Sequence, residues 1–126
     1  MKIVALIARL LLAIIFLVFG LNGFLHFLTM PPPPPGPAAE FMAVVSTTHY
    51  MVVVFALQVI AGFLFLINRF VPLGLTLVGP VIVNILLFHS LMEPSGLPLA
   101  IAVAVLWLIL FYRIRSAFLG IFQQRT

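Results

Sequence analysis

The stretch TLVGPVIVNILLFHSLMEP, residues 76–94, carries the features that decide the fold. It forms the second half of an apolar block, yet it holds a helix-breaking proline, an amide and a histidine. Thr76, Pro80 and Asn84 are four residues apart, so on a helix they share one face. Polar groups are unfavourable against lipid tails, so we expect this face to look inward toward other helices. The stretch therefore predicts one span of a small membrane bundle.

The composition indicates that the solvent of the whole chain is lipid. Of its 126 residues, 65% are hydrophobic and only 6% are charged, with a mean hydropathy of +1.38. Soluble domains are about 45–50% apolar and 25% charged. The chain has no cysteine, which excludes disulfides, thiol catalysis and thiolate metal sites. The net charge is +4, but the six Lys and Arg residues lie at the ends of the apolar blocks and do not form a basic face. We therefore expect the bilayer, and no nucleic acid, as its partner.

Outward from residues 76–94, the chain divides into four apolar segments that are long enough to cross a bilayer. They cover about residues 10–28, 49–67, 70–92 and 97–112. The first segment resembles a signal peptide, but its length and the lack of a small-x-small cleavage pattern favour a retained helix. We predict an all-α, polytopic membrane protein with one domain over residues 1–126, built as an antiparallel four-helix bundle.

The link after the first segment contains five consecutive prolines within MPPPPPGP, residues 30–37. Proline lacks an amide donor and has a fixed φ, so we expect a stiff extended spacer here. Residues 38–48 then form either a short interfacial or re-entrant helix on the extracytoplasmic side or an extension of the second span. In the first case, the hydroxyls of residues 46–48 are expected to cap the next helix.

The charged residues predict the orientation of the bundle. With four spans, every basic residue falls on the side of the two termini: Lys2, Arg9, Arg69, Arg113, Arg115 and Arg125. Glu40 and Glu93 fall on the opposite side. The positive-inside rule then places both termini in the cytoplasm, in a bacterial-type inner (plasma) membrane that the chain crosses several times.

This orientation gathers polar side chains toward the outer leaflet, with one amide near mid-membrane. The candidate binding residues are Asn22, His26, Gln58, Asn84 and His89. Amides and imidazoles in such a pocket are suited to bond the carbonyls of a quinone-like lipid, with protons entering through Glu40 or Glu93. Two alternatives stay open. The amides pair helices without any ligand, or His26 and His89 hold a haem, which we favour less than a quinone-like lipid. We predict no other metal site.

Two long stretches resemble the DoxX-like family of small four-helix membrane proteins. They are ARLLLAIIFLVFGLNGFLHF and ALQVIAGFLFLINRFVPLGLTLVGPVIVNILLFHSLMEPSG, and the resemblance covers the chain from Arg9 to about Arg115. It implies a four-helix fold and a role linked to quinone or redox chemistry. Many members resemble each other at an acidic residue ahead of the glycine of helix two. Gln58 stands at that point here, which implies an uncharged hydrogen-bonding role.

These observations leave several function classes open, because no catalytic motif is present. We expect a binding or accessory protein with an outer-leaflet pocket, and, if it has any turnover, a place as a subunit of a quinone-linked oxidoreductase. The alternative is a non-catalytic structural or assembly subunit. A small proton-coupled transporter is a further alternative. The expected protein partners are other membrane subunits or further copies of the chain.

Overall fold

The computed structural model describes residues 1–126, all of the chain, and its regular structure is entirely helical. The five α-helices are α1 (Lys2–Leu25), α2 (Pro37–Thr47), α3 (Tyr50–Ile67), α4 (Val71–Leu91) and α5 (Leu97–Arg113). A one-turn 3₁₀ helix (Pro94–Gly96) precedes α5, and a longer one (Arg115–Phe122) follows it. Helices α1, α3, α4 and α5, the last with its preceding turn, are long and apolar enough to span a membrane. These four candidate spans indicate a multi-pass membrane protein.

The helix bounds differ most from the expected segments at α1. This helix begins at Lys2 rather than near residue 10, and it ends at Leu25 rather than near residue 28. The apolar residues before Arg9 continue the helix toward the N-terminus. His26 ends it by adopting a left-handed conformation with φ of 54°. The other three spans begin and end within one residue of the expected limits.

The residues after the proline run form a helix of their own, α2, separate from α3. The break lies at Thr48 and His49, where His49 has φ of 60°. Thr47 Oγ1 donates to the Ala43 carbonyl at 2.8 Å, and Thr48 Oγ1 donates to the Val44 carbonyl at 2.6 Å. The threonine hydroxyls therefore close the end of α2. The expectation that they cap α3 is wrong, because they bond backward along the chain.

Helices α1 and α3 share the most extensive contact in the molecule, and glycines permit it. A Cβ atom on Gly20 would lie 3.1 Å from the backbone nitrogen of Val59. A Cβ atom on Gly62 would lie 2.9 Å from the backbone nitrogen of Leu17. Small residues let helix backbones approach in this way, which increases the van der Waals contact that holds membrane helices together. Gly20 and Gly62 are therefore close-packing points between the two helices.

Arg9 adds a polar contact at one end of the same pair of helices. Its guanidinium donates to the carbonyl of Phe65 and, at 3.5 Å, to that of Leu66. These carbonyls belong to the last turn of α3, where full helical bonding ends; the Phe65 carbonyl accepts only a 3.3 Å bond from the Asn68 N–H along the backbone. A cation at a helix C-terminus also complements the helix dipole. Arg9 therefore fixes α1 against the end of α3.

The core lies where α1, α3, α4 and α5 meet. Helix α1 packs on α3 and α5, and α4 packs on the same two helices. The largest fully buried side chains are Leu12, Phe16, Phe65, Leu75 and Val78. Many other large apolar side chains lie on the outer surface, which suits contact with lipid tails.

Candidate functional site

Asn22 and His26 lie together at the end of α1, as expected from their spacing. The Asn22 Oδ1 atom accepts a hydrogen bond of 2.7 Å from the backbone N–H of Leu28. The backbone N–H of His26 donates to the Asn22 carbonyl at 2.9 Å. Asn22 is half-buried, whereas His26 is exposed. The Asn22 side chain thus holds the residues that follow the end of α1 at His26.

His89, another of the candidate binding residues, lies in the last turn of α4. Its Nδ1 atom lies 3.0 Å from the Glu93 carbonyl oxygen. Because a carbonyl only accepts, Nδ1 carries the proton and donates. The ring packs directly on Gly96, where a Cβ atom would collide with it, and meets the Phe88 ring edge-on at 5.1 Å. His89 therefore closes the turn between α4 and α5.

The α4 face that carries Thr76, Pro80 and Asn84 lies on the outside of the molecule, and all three residues are exposed. Thr76 Oγ1 donates to the Pro72 carbonyl at 2.8 Å. Asn84 Nδ2 donates to the Pro80 carbonyl at 2.8 Å. The Asn84 carboxamide keeps its second N–H and its oxygen unused. The prediction that this face looks toward the other helices is wrong.

The opposite face of α4 explains this orientation. Leu75 and Val78 are fully buried there, and Ile82 is 5% exposed. Gly74 on that face packs on the Phe65 ring of α3. Large apolar side chains gain more contact in the core than Thr76 and Asn84 would, and those two already bond carbonyls of their own helix. The helix therefore turns its polar face outward.

Gln58 is the single polar side chain that the fold buries, with an exposed fraction of 6%. It lies midway along α3, and its Cβ atom packs close to Gly20 of α1. No fully buried side-chain nitrogen or oxygen lacks a hydrogen-bond partner in the molecule. Gln58 differs from the other candidate residues in being buried. The side chains of Asn22, Asn84 and His89 each bond the backbone of their own helix or of the turn that follows it.

The two acids lie in different connecting segments, Glu40 in α2 and Glu93 in the turn after α4. Glu40 is exposed in the first turn of α2, where a carboxylate complements the helix dipole. Glu93 is half-buried, and its carboxylate accepts a bond of 3.3 Å from Ser95 Oγ. The Phe41 and Phe88 rings, 5.5 Å apart, bring α2 against the end of α4. No group of three His, Asp or Glu side chains is placed to hold a metal ion.

An apolar groove lies on the surface between α4 and α5 and has a volume of about 380 Å³. It is lined by Gly79, Ile82, Val83, Leu86, Ala104, Trp107 and Leu108. Trp107 anchors its floor because the indole Nε1–H donates to the Leu75 carbonyl at 3.0 Å and the ring stacks on Phe111. A Cβ atom on Gly79 would meet nothing closer than the Trp107 ring at 3.7 Å. A Cβ atom would therefore fit at Gly79 in ordinary van der Waals contact with the Trp107 ring.

The sequence reasoning missed this groove and the contact made by Arg9. Gly79 directly precedes Pro80 and is one of eight glycines in the chain, so its sequence position did not separate it from the close-packing glycines. Trp107, the only tryptophan, is the signal that was available, because a tryptophan in mid-span needs a partner for its N–H. Arg9 signalled a specific contact by lying two turns inside α1.

No protein-family model, curated protein or solved structure matches this chain.

Proposed function

We propose that this protein is a non-catalytic structural or assembly subunit that associates in the membrane through the outward face of α4. The observation that carries the proposal is the exposed carboxamide of Asn84 within a candidate span. One N–H and the oxygen of this group have no partner in the chain. In hydrocarbon such groups favour contact with another helix, where they form interhelical hydrogen bonds.

The groove beside this face provides room for the incoming helix. Val83 belongs both to the exposed face of α4 and to the groove wall. Gly79 carries no side chain, so a second helix can approach the α4 backbone closely at this point. The amide supplies a directional bond, and the groove supplies apolar contact. Together they make this face a better site for a helix than for disordered lipid tails.

We propose a second copy of the chain as the occupant. A carboxamide is both donor and acceptor, so Asn84 is complementary to the Asn84 of another copy. A two-fold axis that crosses the α4 face places the two amides opposite each other, as in most dimers. Each amide then completes the bonding capacity that its own chain leaves unused. Association with a different membrane subunit is the competing outcome.

Cross-linking in liposomes tests this arrangement cleanly because the chain has no cysteine. Leu87 lies on the α4 face and Val53 lies on α3, and both are exposed, at 50% and 64%. Leu87→Cys is expected to give a disulfide dimer on mild oxidation, whereas Val53→Cys stays monomeric. Equal cross-linking from both positions would indicate random collision and would contradict the proposal.

Gly79→Leu tests the groove itself by filling it. The variant is expected to make the protein monomeric in single-molecule photobleaching at low protein-to-lipid ratio, whereas the unmodified chain is dimeric. Ala102→Leu is the matched control, because it adds the same side chain at an exposed position of α5. An unmodified chain that is monomeric at every density would exclude self-association.

We further propose an antiparallel bundle with both termini in the cytoplasm, within a bacterial-type inner membrane. Two contacts support opposite directions for α1 and α3, since Gly20 faces Val59 whereas Leu17 faces Gly62. Lys2, near the N-terminus, and Arg113, at the end of α5, line the same cavity. Their proximity supports placing both termini, with their basic residues, at the same end of the bundle. In this arrangement α2 lies as an interfacial or re-entrant helix at the outer surface.

The orientation is testable with single cysteines at the two ends. Ser95→Cys, in the turn before α5, is expected to react with a membrane-impermeant maleimide in intact cells. Ser116→Cys, in the segment after α5, is expected to react only after the membrane is opened. The reverse labelling pattern would refute cytoplasmic termini.

A second candidate function, binding of a quinone-like lipid, is favoured by one observation. Gln58 is a buried amide in mid-span, where an uncharged donor can bond a ligand carbonyl. The proposed contact is Gln58, to which the sequence adds Asn22, His26 and His89, with protons reaching the site through Glu40 or Glu93. Asn84 faces the outside of α4 and lies apart from this site. This role agrees with the resemblance to the DoxX-like family, and both remain proposals.

Lipid extraction followed by mass spectrometry tests the second candidate. A stoichiometric quinone in the purified protein, lost in Gln58→Leu, would support it. Gln58→Leu has nearly the same volume, so the bundle is expected to stay folded. The absence of any stoichiometric lipophilic molecule would refute this function. An absorbance scan for a Soret band on the same sample tests haem.

A further inference from the structure

A second cavity, of about 580 Å³, opens at the basic end of the bundle. Its walls come from the start of α1, the turn before α4 and the end of α5. Lys2, Arg9, Asn68 and Arg113 form its polar part, and the other six of its ten lining residues are apolar, including Leu6 and Leu110. This combination of cations with an apolar wall differs from the groove between α4 and α5, which is apolar throughout.

The electrostatics of this cavity favour an anion. Three cationic side chains line it and no carboxylate does. The two acids of the chain, Glu40 and Glu93, lie in α2 and in the turn after α4, away from the lining residues. Three like charges repel one another when they line one cavity, and a bound anion would relieve that repulsion.

The hydrogen-bonding groups narrow the class of anion. Arg9 uses Nη1 on the last turn of α3, which fixes the guanidinium and leaves its other N–H groups to donate. Lys2 and Arg113 are exposed and free to close over a ligand, and Asn68 adds an amide. Several donors around a compact space match the oxygens of a phosphate group. The apolar remainder of the wall matches acyl chains.

We propose that this cavity binds the headgroup phosphate of an anionic phospholipid. The phosphate lies among Lys2, Arg9 and Arg113, and the first acyl methylene groups lie along Leu6 and Leu110. Basic cavities between membrane helices on the cytoplasmic side hold anionic lipid headgroups in this way. The inference is independent of the association through α4, because the two sites share no residue.

Native mass spectrometry of the full chain, released from nanodiscs, tests the site. The probes are phosphatidylglycerol and phosphatidylcholine with the same acyl chains. The unmodified protein is expected to retain phosphatidylglycerol at least tenfold more than phosphatidylcholine. The double variant Lys2→Gln with Arg113→Gln is expected to lower that retention at least tenfold. Equal retention of the two lipids by the unmodified protein would overturn the proposal.

The matched control removes the same charge from outside the cavity. Arg69→Gln with Arg125→Gln also lowers the net charge by two, and neither residue lines the cavity. This control is expected to retain phosphatidylglycerol like the unmodified protein. An equal loss in both double variants would show general surface attraction and would overturn the site. Displacement of the lipid by millimolar inorganic phosphate would show a free-anion site and would overturn the lipid assignment.

Discussion

The α1–α3 contact and the α4–α5 contact both contain glycines, yet the glycines do different things. At Gly62 an added Cβ atom would lie 2.9 Å from the backbone of Leu17, so the space is already filled by the neighbouring helix. At Gly79 the nearest atom would be 3.7 Å away, on the Trp107 ring. The first pair of helices uses its small residue for internal packing. The second pair leaves room at its small residue for a Cβ atom in ordinary van der Waals contact.

The largest expected difference is in the free energy of unfolding when a leucine side chain is added at a glycine of each contact. Gly62→Leu forces α1 and α3 apart and should lower the free energy of unfolding by about 3 kcal/mol. Gly79→Leu enters the open groove and should change it by roughly 0.5 kcal/mol or less. SDS titration of the monomeric protein in detergent micelles would measure both changes in the free energy of unfolding. Equal losses in the two variants would show that the two contacts are packed alike.

A smaller effect is expected at the polar end of the α1–α3 contact. Arg9→Gln removes the charged donor from the last turn of α3 and should lower the free energy of unfolding by about 2 kcal/mol. The same titration in micelles of a zwitterionic detergent measures it without anionic lipid. Arg9→Lys keeps the charge and should recover part of the loss. No loss in Arg9→Gln would mean that the glycine packing alone holds α1 on α3.

Trp107→Phe tests the corresponding polar contact between α4 and α5. The change removes the hydrogen bond to the Leu75 carbonyl but keeps an aromatic ring on Phe111, so the free energy of unfolding should fall by about 1 kcal/mol. Tyr112→Phe is the control, since its ring is exposed and its loss of a hydroxyl should have little effect. A loss of about 3 kcal/mol or more in Trp107→Phe would show that this bond stabilises the α4–α5 contact as strongly as the glycine packing stabilises the α1–α3 contact.

The smallest effect on the isolated fold is expected from Asn84→Leu. The side chain is exposed and bonds only its own helix, so the free energy of unfolding should change by less than about 0.5 kcal/mol. Dimer affinity in liposomes, measured by the photobleaching assay, should fall about tenfold because two interchain amide bonds are lost. An unchanged affinity would remove Asn84 from the association face.

Much of the architecture was predictable from local pattern. Apolar runs of sufficient length predicted four spans, because hydrocarbon admits only segments that satisfy their own backbone. For residues 38–48 the same reasoning left two alternatives, a separate short helix or an extension of the second span, and did not choose between them. The choice came from His49, whose left-handed backbone separates α2 from α3. Sequence pattern does not determine that conformation, because only a minority of histidines adopt it.

The sequence by itself determined that the chain is helical, lipid-embedded, free of thiol chemistry and basic at the ends of its apolar runs. These properties follow from composition and from the length of each run, which do not depend on neighbours. Only the tertiary structure decided that Thr76, Pro80 and Asn84 face outward and that Arg9 bonds the end of α3. Both outcomes depend on which helix lies beside which. In lipid, where apolar side chains contact either tails or other helices, close packing between particular surfaces makes that choice.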